Sequence, residues 1–180
     1  MNNVPTLVLE LANSRKPKRP SGTRAAYRLD PFETMESLHA FMKQVNYPLP
    51  AGNAPAPLVI NLDEIKIVRE TIEQIVSHLA DKKEFRFDAV ATLNESAKHC
   101  CWIHQLTPDG GCADVSPSGT LAGMIASLCV IELAKCDFTR IKICCRPPCG
   151  HYFYDTTRNR SALWHAENPC GWRARSERRK

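Results

Sequence analysis

What this sequence lacks bounds it first. None of its 180 residues form a run able to span a bilayer: the longest nearly apolar stretch, Leu121 to Ile131, is broken by Gly123 and Ser127. No basic region precedes the apolar residues Val4 to Leu11, and Glu10 interrupts them, so the pattern of a secretory signal is missing. A cytoplasmic protein with no membrane partner is expected. Only eight glycines are present, and they build no phosphate-cradling loop. HExxH and GxSxG are absent, while His39, His78, His99 and His104 are scattered. No catalytic constellation emerges, and an enzyme is not expected. Internal repeats are missing too.

Charge is present but unevenly placed. Residues 140–180 carry ten Lys/Arg against three acids, a net of +7, whereas the other fourteen bases and sixteen acids leave residues 1–139 at −2. Such asymmetry suggests a polyanionic partner, a solvated basic tail being the alternative. Nine cysteines are an odd number for a disulfide framework, so metal-bound thiolates in a reducing compartment fit better. Cys129 and Cys136 sit in an apolar stretch and read as small core residues.

Residues 1–14 read as a short apolar opening, followed by a basic, proline-bearing loop from Arg15 to Arg24. Leu38, Phe41, Met42 and Val45 form one stripe of a helix starting near Thr34. Pro48, Pro50, Pro55 and Pro57 mark an extended linker. The clearest helix runs from Leu62 to Asp81, with Asn61 and Glu64 at capping-box spacing. Asp88 is a candidate cap for a helix reaching Ala97. Trp102–Leu106 and Cys112–Val115 read as a hairpin across Pro108–Gly111. Ser118 to Lys135, apolar on nearly all sides, is expected to be a buried helix.

The chemistry concentrates after Ile143. Cys144 and Cys149 are separated by four residues, as are His165 and Cys170. Two such pairs suit one structural Zn²⁺, which accepts a tetrahedral mixture of thiolate and imidazole. Cys145 and His151 are rival ligands on spacing alone. Three thiolates and a neutral histidine would give a centre of net charge −1 with no open position, hence structural. Asn168 as N-cap and Pro169 at the first helical position predict a helix through Lys180, with Cys170 in its first turn. A knuckle, a hairpin of His151–Tyr154 with Ala162–His165, and that helix would make a treble-clef-like finger. The whole is expected to be mainly α: a helical body over 1–139 with one short β-hairpin, plus a zinc finger over 140–180.

The stretch from Cys144 to Lys180 resembles the CGNR zinc finger of a bacterial family of transcriptional regulators. The resemblance is carried by Cys144-x4-Cys149-Gly150, by Phe153 to Ser161, by Trp164, and by Cys170-Gly171-Trp172-Arg173-Ala174. Leu9 to Ser14 is similar to the opening signature of the family's helical ABATE domain, with Glu10 and Ser14 as substitutions. The resemblance implies Cys144 rather than Cys145 as ligand. His165 stands where the family has a cysteine, and Trp172 where it has the eponymous asparagine.

DNA is therefore the expected partner, with a nucleoid association. Arg158, Arg160, Arg173, Arg175, Arg178 and Arg179 are the candidate contacts, Arg being able to bind phosphates and guanine edges. Trp172 is expected to pack on the body, a stacking surface for bases being the alternative. The body would serve sensing or assembly, including homo-oligomerisation or a protein partner. The competing function is a protein-interaction module that docks on an acidic protein surface. Zinc loss is expected to unfold 144–180 and spare the body.

Overall fold

A computed structural model describes residues 4–15, 30–47, 58–102, 105–106, 112–113, 117–147 and 149–177. The basic loop, the proline linker and the hairpin tip lie outside the described residues, as do Arg178 and Arg179. Among the described residues no helix is long and apolar enough to cross a membrane.

The expected opening segment is a helix, α1 (Thr6–Asn13), with Leu7, Val8, Leu9, Leu11 and Ala12 buried. No side chain near Pro5 caps it. Instead the Glu132 carboxylate accepts the Leu7 and Val8 amides at 3.2 and 3.0 Å. A negative group at a helix N-terminus satisfies free amides and complements the helix dipole.

Helix α2 (Met35–Gln44) begins at a Thr34–Ser37 capping box, and its stripe Leu38, Phe41, Met42 and Val45 is buried. Helix α3 (Leu62–Lys82) starts where Asn61 Oδ1 accepts the Asp63 and Glu64 amides at 3.0 and 3.4 Å. Helix α4 (Phe87–Ala97) starts one residue before Asp88, which forms a salt bridge with Arg86 rather than a cap.

The expected hairpin extends further than its sequence pattern. Strands β1 (Cys100–Trp102) and β4 (Pro117–Gly119) form its base, and β2 (Gln105–Leu106) and β3 (Cys112–Ala113) continue it. Ser118 thus belongs to a strand, and α5 (Leu121–Lys135) begins only after Thr120, whose side chain accepts the Gly123 amide. Gly119, at φ +114°, is required here because a Cβ would lie 2.1 Å from the His99 carbonyl oxygen. Helix α5 is buried on several sides, and both Cys129 and Cys136 are core residues as expected.

Helices α1, α3, α4 and α5 pack around one core. A short turn, Phe138–Arg140, leads from α5 into β5 (Ile141–Ile143), which pairs antiparallel with β6 (Tyr152–Tyr154). Ile141, Tyr152 and Tyr154 lie in the same core as the helices, so the first hairpin of the finger is built into the body. Asn13 reinforces this junction: its Oδ1 accepts the Tyr152 amide and its Nδ2 donates to the Tyr152 carbonyl, both at 2.9 Å. The side chain pairs with β6 as a strand would. Lys83 Nζ adds a 2.6 Å bond to the Ile141 carbonyl.

One ion pair braces the body. The Arg69 guanidinium, 2% exposed, lies 2.5 Å from Asp30 and 5.2 Å from the Phe32 ring centre. Burial would raise the Asp30 carboxyl, but the Phe32 amide and Arg69 outweigh it and hold it below its ordinary value. A depressed carboxylate contributes stability above its unfolded pKa and loses it as pH falls through the folded one. Asp30→Asn is therefore expected to destabilise the fold at neutral pH, by less than the roughly 3–5 kcal/mol of a fully orphaned buried charge. The Glu70 carboxylate, 3.7 Å from Arg69, remains. Urea melts at successive pH values should show that gap shrinking below about pH 4.

Candidate metal centre

Between β5 and β6 the chain makes a tight knuckle. The Cys144 amide donates to His151 O at 2.8 Å, and the Cys149 amide to Arg146 O at 2.8 Å. Gly150 follows at φ +59°, a left-handed position that closes the turn without strain. The expected pairing of His151–Tyr154 with Ala162–His165 is not formed. Strand β6 pairs with β5 instead, because Ile141 and Tyr154 together fill the body's core. The 161–163 segment meets the knuckle where the Cys145 amide donates to Leu163 O at 2.9 Å.

Asp155 organises the intervening loop. Fully buried, it accepts Lys142 Nζ and Thr157 Oγ1, each at 2.6 Å, and the Thr157 and Ala162 amides at 2.9 and 3.0 Å. Past His165, a turn over Glu167–Gly171 leads into α6 (Trp172–Glu177). Asn168 keeps an extended backbone (φ −109°, ψ 120°), as expected of a residue that opens a helix. Cys170, in the turn that follows, is completely buried.

These elements bring Cys144, Cys149, His165 and Cys170 together, with one donor atom of each within 4.8 Å of all the others. Cys149 Sγ lies 3.4 Å from His165 Nδ1. Tetrahedral zinc, with bonds of about 2.3 Å to sulfur and about 2.0–2.1 Å to nitrogen, separates such atoms by about 3.6 Å. Burial pushes the Cys149 thiol up to about 12, against a bond from the His151 amide, and Cys170 and Cys144 push it further in that direction. Burial, then His151, lowers His165, which favours the neutral imidazole a metal requires. Three buried thiols and the more exposed imidazole of His165, at these separations, fit one Zn²⁺. When bound, zinc supplies the divalent charge that holds the thiols as thiolates and closes the centre as a structural site.

The rivals fare differently. Cys145 is exposed, and its sulfur lies 4.0 Å from Ile143 O, outside the cluster. His151 stacks on His165 with ring centres 5.0 Å apart, and its Nδ1 lies 3.5 Å from Cys149 Sγ. It flanks the four-residue set.

The candidate nucleic-acid residues divide into two groups. Arg160 bonds Asp137 at 2.9 Å and Thr139 at 2.7 Å, fastening the finger to the body. Arg175 forms a salt bridge with Glu167 and lies 5.6 Å over the Trp164 ring. Both are engaged within the fold. The Arg158 and Arg173 side chains form no hydrogen bond or ion pair among the described residues. Trp172 corrects the expectation of packing: it is 61% exposed in the first turn of α6. The inward positions there are taken by Cys170 and Gly171, both buried. Sequence reasoning missed Asn13, Arg146 and Asp155 as organising residues. Only Asp155 left a local sign, the Asp-x-Thr spacing of a side-chain turn.

Comparison with protein families matches the CGNR zinc finger to residues 140–180. Residues 6–134 match ABATE, a family described as "putative stress-induced transcription regulator". A search of curated proteins finds no match. With the ABATE match covering most of its length and the finger match enclosing all four clustered donors, the chain belongs to the ABATE family and carries a CGNR zinc finger.

Proposed function

We propose that this protein regulates transcription by binding DNA through its zinc finger, with the helical body as the sensing or assembly unit. The observation that carries the reading is the pairing of unengaged cations, Arg158 and Arg173, with the exposed ring of Trp172 on a finger whose other described cations are held internally. The sequence adds Arg178, Arg179 and Lys180 beyond α6. A metal-held scaffold presents such groups with little loss of side-chain freedom on binding.

Support for sensing comes from a cavity of about 430 Å³ between α3, α4 and α5. Ile75, Leu93, Leu133 and Cys136 line it, with Phe85 and Phe138 in edge contact at 5.0 Å. Phe138 adjoins Asp137, the residue that holds Arg160 of the finger. An uncharged, largely apolar small molecule suits this lining.

The test is the salt dependence of binding to fragmented genomic DNA. Five phosphate contacts predict a log–log slope of roughly −4 to −5. Arg158→Ala with Arg173→Ala should reduce that slope by about 2, whereas Arg160→Ala should leave it nearly unchanged. A flat slope would instead favour a protein partner with an acidic surface.

A further inference from the structure

Arg146 lies in the knuckle between the Cys144 and Cys149 donors and is only 8% exposed. A buried guanidinium needs compensating charge, and one of its nitrogens finds it: Nη2 donates to Glu177 Oε1 of α6 at 2.9 Å. Nε and Nη1 are also buried, yet neither has a hydrogen-bond partner among the described residues. Glu177 is itself largely exposed, which weakens it as a sole countercharge.

Cys144 and Cys149, on either side of Arg146 in the chain, form one buried cluster with Cys170. Three thiolates and a neutral imidazole around Zn²⁺ leave a net charge of −1, and the three cysteines that carry it are buried. Arg146 is a buried +1 beside it. Each therefore answers the other's missing countercharge.

We infer that Arg146 is the counter-ion of the zinc–thiolate centre and links the filled site to α6 through Glu177. This rests on the site holding zinc. It makes Arg146 a positioning residue that acts on the metal through a ligand. Residues in such supporting positions typically change metal affinity by about 10–100-fold when replaced.

The full chain, loaded with Zn²⁺ or Co²⁺, supplies the test, with affinity read by chelator competition and bonding by the sulfur-to-cobalt charge-transfer band. Arg146→Gln removes the charge and is expected to weaken the metal at least about tenfold and to shift that band. Arg146→Lys keeps the charge and should recover most of the affinity. Glu177→Gln removes the link to α6 while keeping the cation, so affinity should stay within about threefold while amide exchange over Trp172–Glu177 accelerates.

Wild-type affinity in Arg146→Gln would overturn the assignment. So would a loss in Arg146→Lys equal to that in Arg146→Gln, since packing rather than charge would then be at work. Should Arg146→Gln not fold, Glu177→Gln decides: a tenfold loss there would mean that Arg146 acts only by anchoring the helix. Failure of the wild-type chain to take up either metal is a separate result, and it would reject the zinc reading itself.

Discussion

Replacing Cys170 with Ser is expected to loosen α1 as well as the finger. Cys170 is completely buried in the donor cluster, and structural zinc contributes on the order of 10 kcal/mol of apparent binding free energy. Whole domains are stable by only about 5–15 kcal/mol, so the loss is comparable with the entire margin. The damage extends beyond the knuckle because β5 and β6 supply Ile141, Tyr152 and Tyr154 to the common core. If that hairpin frays, Asn13 loses both of its bonds to Tyr152.

Hydrogen exchange followed by mass spectrometry checks this. Amides of Thr6–Asn13 and Ile141–Tyr154 should lose protection together in Cys170→Ser, while α4 and α5 keep most of theirs. Unchanged protection in α1 would restore the simpler picture of a finger that unfolds alone. His165→Cys, which retains four soft donors, is the control and should keep both zinc and protection.

Asp155→Asn is the second large effect. Burial would raise this carboxyl, but Lys142, Thr157 and the Ala162 amide hold it far below the usual carboxylate range. Asparagine offers one acceptor oxygen in place of two and turns an amide N–H₂ toward existing donors. It also leaves the Lys142 ammonium facing a neutral group. Breaking a buried pair of this kind costs about 3–5 kcal/mol.

The sign follows from linkage: a depressed carboxylate stabilises the fold at every pH above its unfolded value, near 3.9. Denaturant melts of zinc-loaded wild type and variant should therefore differ by a constant amount from about pH 6 to 8. A gap that opens only at the alkaline end would contradict the assignment of an ionised Asp155. Loss of this anchor also releases the loop bearing Arg158, so the DNA binding proposed above should weaken even where zinc is retained.

These effects could be traced to the sequence only in part. The α3 cap at Asn61, the buried α5 and the four-residue spacings of the donors are local patterns, and local patterns survive without coordinates. Helix α1 did not declare itself because its cap, Glu132, stands 125 residues away from Leu7. The finger's hairpin was paired differently in the sequence reading, since nothing in the order of residues says that Ile141 enters the body's core. Counting arginines gave charge but not availability. Asp137, Glu167 and Glu177 engage Arg160, Arg175 and Arg146 through space. Trp172 was misjudged for a related reason: a large ring normally packs, but the inward positions of its turn were already taken.

The junction at Asn13 also constrains the order in which the chain can mature. Synthesis delivers α1 well before its partners: its amides await Glu132, and its terminal asparagine awaits Tyr152, 139 residues later. Closing contacts that distant is slow compared with forming a helix turn. On the ribosome the opening helix therefore emerges without a berth, and the body cannot be completed until the knuckle strands follow it. Metal capture and the closing of the core at Asn13 therefore fall in the same late interval of synthesis.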